Sequence, residues 1–108
     1  MGNESIKVII LCSWGATSSQ LAAKVQEAAK NKSVTVQVES GGTGDFKQNA
    51  SQYNVALLEP QVRHLKKEVT KVGDQHNIPV EMVDQRAFAL MDGAKVLDQI
   101  LKLSSGNE

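Results

Sequence analysis

A single cysteine, Cys12, stands in a chain of 108 residues, so no internal disulfide can form and a disulfide-stapled scaffold is excluded. Only two histidines, His64 and His76, accompany it, neither at ligand spacing from it, so structural zinc is not expected and no cofactor is implied. Charge of one sign is also missing: Lys+Arg and Asp+Glu both total 12 and the formal net charge is zero. Bulk attraction to nucleic acid or to an anionic membrane therefore has no source. No apolar run exceeds five residues, as in Val8–Cys12, whereas a membrane-spanning helix needs about 20. The opening Met-Gly-Asn-Glu-Ser-Ile has neither the basic nor the apolar stretch of an export signal, and Ile6 stands where a myristoylation motif requires Ser or Thr. Asn-x-Ser triplets at Asn3, Asn31 and Asn49 would matter only in a secreted protein. A cytoplasmic chain with Cys12 as a free thiol is the expectation. With 41% hydrophobic and 22% charged residues, 2 Pro and 8 Gly, the composition fits one globular domain over residues 1–108, its polar tail 104–108 frayed.

What is present alternates in period. Ser5–Leu11 is short, β-branched and almost continuously apolar, the pattern of a strand covered on both faces. From Ser18 the spacing turns helical, with Leu21, Val25 and Ala28 on one side. Val34, Val36 and Val38 predict a second strand, Gly41–Asp45 a break, and Phe46–Gln52 a short polar helix. Asn54–Glu59 reads as a third strand. Pro60 opens a helix through Val62, Leu65, Val69 and Val72 to Gly73; Val80–Val83 is a fourth strand and Gln85–Leu103 a last helix. Strands alternating with helices predict an α/β fold, an open, mostly parallel sheet flanked by helices with right-handed crossovers.

In such a sheet the functional crevice lies beyond the carboxyl ends of the strands. Cys12 closes the first strand there, and Ser13, Trp14, Gly15, Ala16, Thr17, Ser18 and Ser19 lead from it into a helix. Loop N–H groups and the unpaired donors of a helix's first turn converge on an anion, and the same field favours a thiolate over a thiol. A free cysteine is often only a small buried hydrophobe; its place at the strand exit, followed by hydroxyls and a helix start, favours a nucleophile instead. Cysteine phosphatases place an arginine six residues after the nucleophile, where it grips the phosphate in the transition state. Here that residue is Ser18. A loop lacking that fixed charge is suited to carrying a phosphoryl group rather than hydrolysing it, and an attacking thiolate needs no general base.

Ile9-Ile10-Leu11-Cys12-Ser13-x-Gly15-x-Thr17-Ser18, then Leu57-Leu58-x-Pro60-Gln61, Val83-Asp84 and Asp92-Gly93 together resemble the lactose/cellobiose-type IIB components of the bacterial phosphoenolpyruvate-dependent sugar phosphotransferase system. The resemblance implies a four-stranded open parallel sheet with helices on both faces, three layers similar in topology to low-molecular-weight phosphatases, with Cys12 as the phosphorylation site and residues 13–19 as its phosphate loop. It implies a cytosolic IIA partner whose phosphohistidine donates the group, a membrane IIC partner, and a sugar such as cellobiose or lactose as final acceptor. Glu59 departs from it, standing where the family commonly has Gly before Pro-Gln, and Trp14 occupies a place more often filled by a small residue.

Two other classes remain open on the residues alone: a cysteine phosphatase or arsenate reductase, against which Ser18 and the lack of a second cysteine both speak, and a non-catalytic anion-binding module. Gln61 and Arg63, just past the third strand, are candidates for bordering the loop or docking an acidic partner. Arg63, Lys67 and Lys71 recur every four residues as a basic stripe, which on most helices is a solvated face. His64 and His76 read as solvated helical histidines, and Asp84 and Asp92 as acid candidates that capping of the last helix or its bend explains equally well.

Overall fold

The strand Ile6–Leu11 (β1) takes the interior of the sheet because its run leaves no polar face from Val8 to Leu11, all four of which are buried. The computed structural model describes residues 6–11 and 16–104. Within them the chain continues as α1 (Ala16–Asn31), β2 (Val36–Gly41), α2 (Thr43–Asn49), β3 (Val55–Leu58), α3 (Lys66–Gln75), β4 (Val80–Met82), α4 (Gln85–Leu90) and α5 (Gly93–Ser104). Ala50–Gln52 and Pro60–Leu65 are 3-10 turns ahead of β3 and α3. The strands form one sheet in the order β2-β1-β3-β4, every pair parallel. The α/β class and the four-stranded parallel sheet are as the sequence predicts.

Strand alternation divides the core in two. Val8 and Ile10 of β1 and Val55 and Leu57 of β3 meet Leu21 and Val25 of α1 and Val96, Leu97 and Ile100 of α5 on one face. Ile9, Leu11, Ala56 and Leu58 meet Phe46 of α2 and Val69 of α3 on the other. A parallel crossover packs back on the sheet with one hand, so the step from β1 out to β2 and the steps back to β3 and β4 put their helices on opposite faces. At the sheet edge, Gln26 of α1 donates from Nε2 to the Val36 carbonyl (2.8 Å) and accepts at Oε1 from the Val38 N–H (2.7 Å), giving β2 partners that no further strand supplies.

Among the boundaries that differ from the sequence reading, three have a clear local reason. β2 starts at Val36 rather than Val34, because the Val34 N–H is engaged by the Ala29 carbonyl (2.9 Å) as α1 ends through Ser33 at φ 59°. α2 starts at Thr43 rather than Phe46: the Asp45 carboxylate accepts from the Gly42 N–H (3.2 Å) and holds the helix entry. After Pro60 the chain keeps a 3-10 turn with Val62 off helical geometry (φ −112°, ψ 22°), and the α-helix begins only at Lys66.

The last predicted helix is two helices. Met91 ends α4 in the left-handed region (φ 52°), and the Asp92 carboxylate then accepts from the Lys95 N–H (3.2 Å) to start α5. The break lets Gly93 press against α1, where a Cβ would lie 2.3 Å from the Lys24 carbonyl oxygen. Asp92 is thus a helix cap, as its sequence context suggests. Asp84 precedes α4 without a side-chain cap bond; its N–H donates to Gln99 Oε1 (3.1 Å), while Gln99 Nε2 donates to the Met82 carbonyl (2.8 Å). Among the described residues no helix is long and apolar enough to cross a membrane.

Candidate functional site

The helices following β1 and β3 lie on opposite faces, so the carboxyl ends of these two neighbours form the switch point at which open α/β sheets bind ligands. Leu11 is the last residue of β1 and stands in register with Gly41 of β2 and Leu58 of β3. Beyond it α1 starts at Ala16. The first N–H groups of a helix have no carbonyl partner within it, and the macrodipole makes that end positive. No acidic side chain occupies the first turn of α1 to offset this.

The chain between Leu11 and α1 carries the sequence-predicted nucleophile. Cys12, Ser13, Trp14 and Gly15 lie outside the described residues, as do the side chains of Ala16, Thr17, Ser18, Ser19 and Gln61. The backbone of residues 16–19 is the first turn of α1, so the helix reaches two residues closer to Cys12 than the spacing of Leu21, Val25 and Ala28 indicates.

Glu59 is the unexpected member of this region. Its N–H donates to the Leu11 carbonyl (3.1 Å), prolonging the β1–β3 ladder by one step, and its own carbonyl accepts from Val62 N–H (3.0 Å) as the 3-10 turn begins. Its backbone is extended (φ −72°, ψ 154°). Its side chain is completely buried, and neither carboxylate oxygen has a hydrogen-bond partner among the described residues. Burial disfavours the charged form and pushes its pKa up to about 7. The sequence marks Glu59 only as an oddity before Pro60; the signal for its burial is its position directly after Val55–Leu58, a strand with no exposed residue.

Arg63 and His64 are exposed, and with Lys66, Lys67 and Lys71 they line an open groove along α3. Arg63 lies four residues beyond Glu59 in the turn that leaves the carboxyl edge, while the basic stripe continues along α3. His76 is exposed past the end of α3, before β4 starts at the opposite edge of the sheet. Tyr53 donates its hydroxyl to Glu39 Oε1 (2.8 Å), and burial first, then Glu39, raises its pKa to about 12. It packs at 6.2 Å from the Phe46 ring, with the Lys7 ammonium 5.8 Å from its own ring centre. Phe46 and Tyr53 belong to the core on the α2 and α3 face of the sheet.

Comparison with known proteins points the same way. Residues 7–99 match the family model described as "PTS system, Lactose/Cellobiose specific IIB subunit". The oligo-beta-mannoside-specific EIIB component of Bacillus subtilis is 33% identical over 97 residues, covering 90% of this chain and 94% of its own. A lactose-specific EIICB component of Staphylococcus haemolyticus is 37% identical over 60 residues, 56% of this chain and 10% of the longer protein. Among solved structures, the lactose-specific IIB component domain from Streptococcus pneumoniae superposes with a TM-score of 0.83 at 26% identity, covering 93% of this chain and 98% of that one.

Proposed function

Given that the chain belongs to the family of lactose/cellobiose-specific IIB subunits of the sugar phosphotransferase system, and so is a phosphotransferase component that works with IIA and IIC partners, we propose that Cys12 is its phosphoryl carrier. The IIA phosphohistidine is the donor, and the final acceptor is a sugar handled by the membrane IIC partner. One domain, residues 1–108, performs both transfers on the cytoplasmic side. The sugar is a β-linked disaccharide such as cellobiose or lactose, in keeping with the oligo-beta-mannoside and lactose named for its relatives.

The observation that carries this reading is that β1's buried carboxyl end leads into the amino end of α1, whose first turn holds no acidic residue, at the switch point of the sheet. A phosphoryl group there gains hydrogen bonds from main-chain donors and the favourable end of a helix dipole. The thiolate attacks phosphorus in line, the S–P bond forms as the N–P bond breaks, and the imidazole nitrogen keeps the electron pair. In the second transfer a sugar hydroxyl displaces the sulfur, forming an O–P bond and releasing its proton. Residues 13–19 supply the cradle, with the hydroxyls of Ser13, Thr17, Ser18 and Ser19 adding to the main-chain donors. Gln61 and Arg63 border it, and the exposed Arg63 side chain is available to an acidic partner surface. Closure of each partner over the loop excludes water and so favours transfer over hydrolysis.

Incubation with phosphoenolpyruvate, the two general phosphotransferases and a IIA protein tests the reading. The wild-type chain is expected to take up one phosphoryl group and Cys12→Ala none. Uptake by Cys12→Ala, or brisk hydrolysis of p-nitrophenyl phosphate by the wild type alone, overturns it, the latter in favour of a phosphatase.

A further inference from the structure

Glu59 has no role in the transfer as derived so far, and its environment is costly. A buried carboxylate with no hydrogen-bond partner is among the least favourable groups a core can contain, since burial strips its water without replacement. Its two oxygens have no partner among the described residues, and its N–H is bonded to the carbonyl of Leu11, which Cys12 follows in the chain. Extended backbone carries the alternation of β3 one residue further, so position 59 falls with Val55 and Leu57 on the face covered by α1, the helix entered from the Cys12 segment.

Resting on the reading of Cys12 as carrier, we infer that Glu59 is the inner wall of the phosphoryl site. Its carboxyl group admits the phosphoryl group when it carries its proton and opposes it when it does not, so that charging of Cys12 is coupled to one proton.

Transfer from phosphohistidine to the thiolate leaves the Glu59 proton in place; where Glu59 is ionised beforehand, it takes one proton from solvent as the phosphoryl group arrives. The charged groups of the surrounding elements, Asp84 after β4 among them, are solvated. Lys24 and Glu27 of α1, Arg86 of α4, Glu81 of β4, Lys95 and Asp98 of α5 and Arg63 after β3 are all exposed. Burial alone accounts for the reluctance of Glu59 to ionise.

The test is the pH dependence of the equilibrium between charged IIA and this chain, measured in parallel for wild type and Glu59→Gln, an isostere that keeps a donor and cannot ionise. The donor's own titration cancels in the ratio. Between pH 6 and pH 8.5 the wild-type charging constant is expected to fall about tenfold relative to the variant. A ratio that stays level overturns the role of Glu59 while leaving Cys12 as carrier; absence of a phosphoryl group on Cys12 in both proteins overturns the carrier reading and this one with it. Carbon NMR of the Glu59 carboxyl in the wild type gives a readout independent of the variant's folding. Its titration midpoint is expected to move upward on charging, and an unmoved midpoint overturns the proposal.

Discussion

Replacing Glu59 by glutamine removes a group that the folded chain can keep charged only at a cost, and the size of that cost follows from its burial. In the unfolded chain the carboxyl releases its proton near the ordinary value of 4.5, in the folded chain near 7. Between those values the native state holds a proton that the unfolded state has lost, so stability falls as pH rises through that window. It is highest below 4.5 and levels off above the folded value. At about 1.4 kcal/mol per pH unit the full loss is about 3 kcal/mol. With a urea slope of about 1–3 kcal/mol/M, the midpoint falls by about 1–3 M across the window. Urea titrations of wild type and Glu59→Gln from pH 4.5 to 8.5, read as a difference curve, separate this contribution from all groups common to both. The variant is expected to be more stable at pH 8 than the pH 5 comparison alone would predict, by that amount. Parallel curves for the two proteins would mean that Glu59 ionises as easily folded as unfolded and that its burial carries no such cost.

Other substitutions test the framework around the site. Gly93→Ala forces a methyl group against the Lys24 carbonyl of α1 and is expected to cost about 1–3 kcal/mol in chemical denaturation; an unchanged midpoint would mean that α5 does not sit so close to α1. Gln26→Ala removes both hydrogen bonds at the outer edge of β2 and should cost about 1–3 kcal/mol, with faster amide exchange at Val38 as its local signature. Leu57→Ala empties a fully buried position of β3, with an expected loss of about 2–5 kcal/mol measured by thermal or urea unfolding. Thr17→Ala and Ser18→Ala each slow phosphoryl acceptance from IIA in stopped-time assays, and unchanged rates in both would assign the whole cradle to main-chain donors.

The parts of this fold that can be read from sequence are those where one physical demand acts alone. β1 and β3 are legible because a strand buried on both faces can contain almost nothing polar, and Val8–Leu11 and Val55–Leu58 contain nothing polar at all. The helical faces of α1 and α3 follow in the same way from spacing. The boundaries are less legible because tertiary contacts compete with periodicity there. Phe88, Met91 and Val96 can be drawn on one helical face, yet the close approach of Gly93 to α1 breaks the helix, and only the Asp92-Gly93 pair gives notice of it. The Val34 N–H is spent on closing α1, which shortens β2 against its own alternation. At the site, the end of β1 at Leu11 is legible from its apolar run, whereas the burial of Glu59 does not follow from its identity, since glutamate is seldom buried without a partner.

Sulfur rather than imidazole is proposed to carry the phosphoryl group, and peptide mapping of the chain charged through IIA distinguishes the two. All of the added phosphoryl is predicted on the peptide containing Cys12 and none on those containing His64 or His76. A phosphoryl group on either histidine, with Cys12 unmodified, would mean that an imidazole is the carrier.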